Sequence, residues 1–416
     1  MMPSGVAHQI LARRIVDQID RSVVLFPRFN IMLDNTQIDS ALQVSSVTCA
    51  ILILVVGLVG IWGDIATLII FTRSEMVSSI SVLICGLSLS NLILICMAIA
   101  AFVVQGFSTI FYSPSLEKYI TYIPKTSYPI AMIVQTASLW LVIAIAVERY
   151  IVVRWPLLSR SICTVYRSKI AIISIFSLSI IYNFIRFWEY SVELLPVFND
   201  TRTELRAVQY LRGEPEYFTL YYTAGFLISH FIVPFAVLTA LNTAIITAIR
   251  KARLERKRLS SVTHNEHKLA MMMVTIIVLF SICNTSPFIL NIVEACQRDL
   301  FINPETGTWA YLALDITNCL VVFNASADAF VYYIFNKRYK RRFRRLFCCQ
   351  RSNSTVVTYN NLWASLSVAF LPMKSGHSSE QSLPRTRCHS TFRMPIQGDQ
   401  YRFLAPRPLL IKKQSI

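Results

Sequence analysis

Residues 122–153 read YIPKTSYPIAMIVQTASLWLVIAIAVERYIVV. No charged side chain falls between Lys125 and Glu148. About 20 apolar residues are enough for a helix to cross a bilayer. Membrane β-strands run to about ten residues and alternate in polarity, which this stretch does not do. Backbone polar groups in hydrocarbon must be satisfied within their own segment, so the stretch reads as a spanning helix. Working outward, six further stretches qualify: 47–71, 77–104, 170–187, 218–249, 269–293 and 308–335. The chain shows no fixed-period repeat and no inverted symmetry between its halves of the kind transporters carry. The fold class is therefore an all-α membrane protein, a seven-transmembrane helix bundle.

Composition agrees. Of 416 residues, 54% are hydrophobic and 15% charged, against about 25% charged in soluble domains. A net charge of +17 could signal nucleic acid, but the basic residues are segregated into connections between spans. Of 40 basic residues, 29 fall after the third, fifth and seventh spans or at Arg73, with only 6 acids. Cytoplasmic flanks carry this excess, so the 1–46 segment lies outside and the tail inside, at the plasma membrane. No cleaved leader is expected in 1–46, because it has no apolar core of the right kind. No nucleic-acid partner is expected. The basic loops also suit anionic lipid. Residues 336–347 form a basic amphipathic segment, read as a short eighth helix, and 348–416 read as a disordered cytoplasmic tail. The absence of HExxH, CxxC, GxSxG and glycine-rich phosphate loops argues against an enzyme and against a cofactor.

The third span closes in Glu148-Arg149-Tyr150, followed by Trp155-Pro156-Leu157. Pro234, Pro287, Asn324 and Tyr332 punctuate the later spans in order. With these landmarks the chain resembles the rhodopsin-like (class A) G-protein-coupled receptors over roughly Ser46 to Cys349. The runs Gln135-Thr136-Ala137-Ser138-Leu139-Trp140, Tyr182–Glu189 and Asn324–Tyr333 make it similar, more finely, to invertebrate FMRFamide-type neuropeptide receptors. The resemblance implies an extracellular peptide ligand and a heterotrimeric G protein that meets Glu148, Arg149, Tyr150 and Tyr332. It also implies arrestin and receptor kinases acting on tail residues such as Ser352, Ser354, Thr355 and Thr358. A chemosensory receptor for a non-peptide ligand is the nearer alternative, and a transporter or channel the more distant one.

Departures from the family's pattern sharpen this reading. Pro124 stands where the family has the disulfide cysteine of the third helix, and the loop Tyr190–Tyr217 has no cysteine. Cys49 and Cys296 are left as cysteines near the outer face, and a bridge between them stays open. The family's aromatic switch is replaced by Thr285, and span seven lacks the proline of NPxxY. The acid at the base of helix six is replaced by His267, which predicts basal activity. The polar core is rearranged to Asp64, Asn91 and Asp328, with Ser138 and Asn324. Ionisable groups inside the membrane are costly and usually functional. Either at least one aspartate is protonated at neutral pH, or a cation such as sodium sits between them.

The outer loops are acidic. Glu189, Glu294 and Asp315, at span ends, are the candidate contacts for a ligand arginine, with Gln135, Trp188 and Tyr128 as further pocket residues. Such a surface attracts cationic ligands. Asn199-Asp200-Thr201 is a glycosylation sequon in an outer loop. Cys348 and Cys349 follow the basic segment, a setting for palmitoylation.

Overall fold

The computed structural model describes residues 40–111, 113–196, 203–256, 263–297 and 304–347. Among the described residues, seven helices are long and apolar enough to cross a membrane. They are α1 (Ser40–Phe71), α2 (Ser79–Ser108), α3 (Pro114–Arg154), α4 (Val165–Trp188), α5 (Pro215–Arg256), α6 (Thr263–Cys296) and α7 (Pro304–Phe335). A basic helix, α8 (Lys337–Phe347), follows after one residue. A two-turn helix, Pro156–Ile162, joins α3 to α4.

Every span seen in the sequence is present, but most helices outrun the apolar stretch. Backbone bonding continues into polar residues until a stop or start signal intervenes. Proline opens α3, α5 and α7 at Pro114, Pro215 and Pro304, where its missing N–H costs nothing. Ser78 caps α2 by accepting from the Ser81 amide at 3.3 Å, and Asn336 caps α8 by accepting from Arg338 and Tyr339 amides.

Two of the described helices carry π-helical turns. α2 contains a π-helical turn, Ile99–Val103. α5 runs through Phe218–Gly225 and Leu227–Ile232 in π-helical form before regular helix resumes at Val233. Pro234, at the end of that stretch, cannot donate to the carbonyl one turn back. Pro124 and Pro129 lie inside α3 and Pro287 inside α6. By contrast α7 has no proline after Pro304 and continues unbroken through Asp328 to Phe335.

α1 and α7 approach closely through small residues. A Cβ on Gly60 would sit 2.2 Å from Ser326 Oγ, and one on Gly63 would sit 2.7 Å from the Ala329 Cβ. Small residues let helix backbones approach in lipid, where apolar burial gives little drive. The largest buried cluster fills the half of the bundle nearer α8, with Phe71, Leu87, Leu141, Leu238, Tyr332 and Tyr339 among its members.

Between α4 and α5 the chain forms a hairpin of β1 (Tyr190–Pro196) and β2 (Thr203–Gln209), antiparallel, with Tyr190 opposite Gln209 and Glu193 opposite Arg206. This hairpin marks one end of the bundle; α8 marks the other.

Candidate functional site

A cavity of about 220 Å³ opens among α1, α2, α3, α5, α6 and α7 at the hairpin end. Of the six candidate ligand contacts, Glu294, Asp315, Gln135 and Tyr128 line it. Glu189 and Trp188 do not. Trp188 is half exposed and packs edge-on against Phe184, with ring centroids 5.1 Å apart, so its expected place in the pocket is corrected. The 3₁₀ turn Phe184–Trp188 that closes α4 changes the helical phase there.

The three acids differ sharply. Glu189 is fully buried, and its Oε1 accepts from Arg186 at 2.9 Å and from the Tyr217 hydroxyl at 2.6 Å. Glu294 accepts from Arg212, and its second oxygen takes the Tyr222 hydroxyl at 3.1 Å. Arg212 also lies 3.7 Å from the Tyr222 ring centroid, a cation–π contact. Burial alone would lower the Arg212 pKa, but the Glu294 carboxylate and the surrounding tyrosines raise it well above its ordinary value. Burial pushes the neighbouring Tyr190 hydroxyl up as well. Two of the acids proposed for a ligand's arginine therefore already hold an arginine of this chain. Asp315 lines the cavity and accepts from the Ser45 hydroxyl at 2.6 Å.

The sequence reading missed these two arginines because it counted them only as loop charge. A signal was present: Arg186 and Glu189 are three residues apart at a helix end, within side-chain reach.

From Arg186 a chain of polar contacts runs inward. Arg186 Nε donates to Asn183 Oδ1 at 3.0 Å, and Asn183 Nδ2 donates to Thr136 at 2.9 Å. Thr136 lies 2.8 Å from His230 Nε2, and His230 Nδ1 lies 2.8 Å from Ser229. His230 stacks on Phe226 at 4.6 Å, and Phe231 stacks on Phe288 at 3.7 Å, next to Pro287. A smaller cavity of about 30 Å³ sits there, lined by Gln135, His230, Asn284 and Asn324 among others. Thr285, in place of the aromatic switch, donates to the Ser281 carbonyl of its own helix at 2.6 Å.

The polar core assembles below. Ser138 donates to Asn91 Oδ1 at 3.0 Å, and Asn91 Nδ2 donates to Asp328 Oδ2 at 2.9 Å. Asn324 lines the small cavity with Asn91 and Ser138. Asp64 is buried in the same region, with the Ser88 hydroxyl and the Asp328 carboxyl as its polar neighbours.

At the α8 end, Tyr332 is buried, with its ring 6.1 Å from Phe71 and 6.2 Å from Tyr339. Glu148, Arg149 and Tyr150 close α3. Arg149 Nε is buried without a hydrogen-bond partner, and Tyr150 meets Trp155 edge-on at 5.5 Å. The side chain of His267 lies outside the described residues, as do Asn199, Cys348, Cys349 and the tail serines and threonines.

The bridge left open between Cys49 and Cys296 is not present. Cys49 faces Cys319 of α7, while Cys296 is exposed at the end of α6.

Comparison with known proteins identifies the architecture. Residues 65–332 match the family described as 7 transmembrane receptor (rhodopsin family). The FMRFamide peptide receptor frpr-18 of Caenorhabditis elegans is 34% identical over 79% of this chain and 74% of its own length. The FMRFamide receptor of Drosophila melanogaster is 33% identical over 78% of this chain and 57% of its own. The probable G-protein coupled receptor frpr-1 of Caenorhabditis elegans is 25% identical over 73% of this chain. The chain belongs to the rhodopsin family of seven-transmembrane receptors and is a multi-pass membrane protein of the FMRFamide-receptor type.

Proposed function

We propose that this receptor binds an FMRFamide-like amidated neuropeptide in the 220 Å³ cavity and passes the signal to a heterotrimeric G protein at the α8 end. The carrying observation is the likeness to two proteins named as FMRFamide receptors, combined with an apolar, aromatic cavity that has Asp315 and Glu294 on its wall. An arginine and a terminal aromatic amide suit that chemistry: cation to carboxylate, ring to Tyr128, Phe226 and Tyr311. Asp315 and Glu294 are the candidate counter-ions on that wall.

In this reading the hairpin and the 1–46 segment face outward and the α8 end faces the cytoplasm. Arg149 then meets the G protein with Glu148, Tyr150 and Tyr332 around it. The Asp64–Asp328 pair holds a proton or a cation such as sodium. Asn199 carries a glycan, Cys348 and Cys349 carry palmitate, α8 rests on lipid, and the tail takes kinase phosphates and arrestin.

The test is a panel of amidated peptides applied to the expressed receptor with calcium and cAMP readouts. An active peptide with arginine next to its terminal aromatic should lose about 10-fold or more potency on Asp315→Asn, as charge-assisted contacts of about 1.5–3 kcal/mol do. An analogue with citrulline in place of that arginine should lose far less. Equal losses for the two peptides would remove Asp315 as the counter-ion. A panel with no active peptide would remove the ligand class.

A further inference from the structure

α1 and α7 carry a pair of cysteines that nothing above uses. Cys49 Sγ lies 3.2 Å from Cys319 Sγ. The Cys49 thiol also donates to the Asp315 carbonyl at 3.4 Å, which fixes its direction toward α7. The pair exists because the two helices pack face to face. Cys49 and Gly60 are eleven residues apart, and Cys319 and Ser326 seven, so each cysteine shares a helix face with the close contact of Gly60 and Ser326. Cys49 is only 6% exposed in total, yet its side chain forms part of the cavity wall.

We propose that Cys49 and Cys319 are joined by a disulfide that ties α1 to α7 beside the ligand cavity. Each thiol loses its proton, an Sγ–Sγ bond forms, and the two electrons and two protons reduce one disulfide of a secretory-compartment thiol oxidoreductase to a dithiol. The sulfur atoms must close from 3.2 Å to about 2.05 Å. The cavity gives exchange its route. Disulfides persist on the oxidising side of the membrane, so this inference rests on the reading that the hairpin end faces outward. The bridge ties together the wall that carries Asp315.

The test is a thiol count on the full-length receptor captured from the cell surface, denatured without reductant in a polyethylene glycol–maleimide reagent that shifts the gel band once per free thiol. If the pair is bridged, Cys49→Ser liberates Cys319 and raises the count by one. If both are free, the same substitution lowers the count by one. Cys319→Ser should behave identically, and the double variant should match the wild type. A fall of one in either single variant overturns the proposal. A bridged peptide holding both cysteines, found by mass spectrometry of unreduced digest, supports it. The count is independent of any peptide, so a failed ligand screen leaves it standing. A missing glycan at Asn199 would instead fault the orientation.

Discussion

Among the described residues, arginine–glutamate pairs at the two ends of the bundle differ in burial more than in chemistry. At the hairpin end, both side chains of Arg186–Glu189 are fully buried, and Arg212–Glu294 is 0% and 6% exposed. At the α8 end, Arg342 pairs with Glu75, whose side chain is 71% exposed. Desolvated charges must be paired, because an orphan cannot be rehydrated. An exposed pair is screened and typically contributes little. The charges at the hairpin end are thus buried and paired, whereas the pair at the α8 end is open to solvent. At the other end α8 is held by aromatic rings, with Trp62 against Phe343 and Phe347.

The largest effect should come from leaving one buried charge alone. Arg186→Met strands Glu189 with only the Tyr217 hydroxyl, and should destabilise the receptor by about 3–5 kcal/mol. Thermal inactivation in detergent and surface expression would read it. Arg186→Met with Glu189→Leu should recover most of the loss, since apolar replacement of both partners is often neutral. A single substitution no worse than removal of Glu75 would abolish the contrast between the two ends.

The α1–α7 seam gives the next effect. Gly60→Leu forces a side chain where Ser326 already stands, with even the Cβ 2.2 Å from its Oγ. Overpacking of this kind costs about 1–3 kcal/mol. It should also move Asp64 and Cys49, which share that helix. A melting curve like the wild type's would show that α7 yields there more easily than the close contact implies.

The sequence revealed the spans because hydropathy is a property of each residue and needs no partner. It also revealed α8, where Arg and Lys alternate with Tyr339, Phe343 and Phe347 at helical spacing. The Asn91–Asp328–Ser138 cluster was legible because polar residues inside a span have few other places to go. The hairpin was not. Tyr190-Ser191-Val192-Glu193-Leu194 alternates as a strand should, but in a loop rich in acids the charges drew the reading toward solvent. The partners of Glu189 and Glu294 were missed for the same reason: charge was read one residue at a time. Cys319 was missed because depth in a span can be read from sequence position, while the face it presents depends on which helix lies beside it.

Removing the ring that docks α8 should weigh less than either change above. Trp62→Ala loses the contacts to Phe343 at 5.1 Å and Phe347 at 4.7 Å. Aromatic pairs contribute about 0.5–1.5 kcal/mol beyond area, and Trp62 is half exposed. A spin label or fluorophore on α8 should report greater mobility relative to α1, with the core melting little changed. An immobile label would mean that Tyr339, bonded to Thr67 at 3.0 Å, anchors the helix by itself.

The smallest effect belongs to Glu75→Gln, and its pH behaviour identifies the cause. The Arg342 guanidinium holds the Glu75 carboxyl below its ordinary value of 4.5. A carboxyl lowered in the folded state contributes stability above its unfolded pKa and loses it as pH falls through the folded one. The pair is therefore fully formed from about pH 5 to 8, and any contribution fades only below about 4.5. Because Glu75 is so exposed, even that full contribution should lie within error of zero. Glu75→Gln should match the wild type in melting and in α8 mobility across pH 5 to 8, at low salt and high. A clear loss that disappears in high salt would mean that the α8 end relies on charge after all, and that burial is not what separates the two ends.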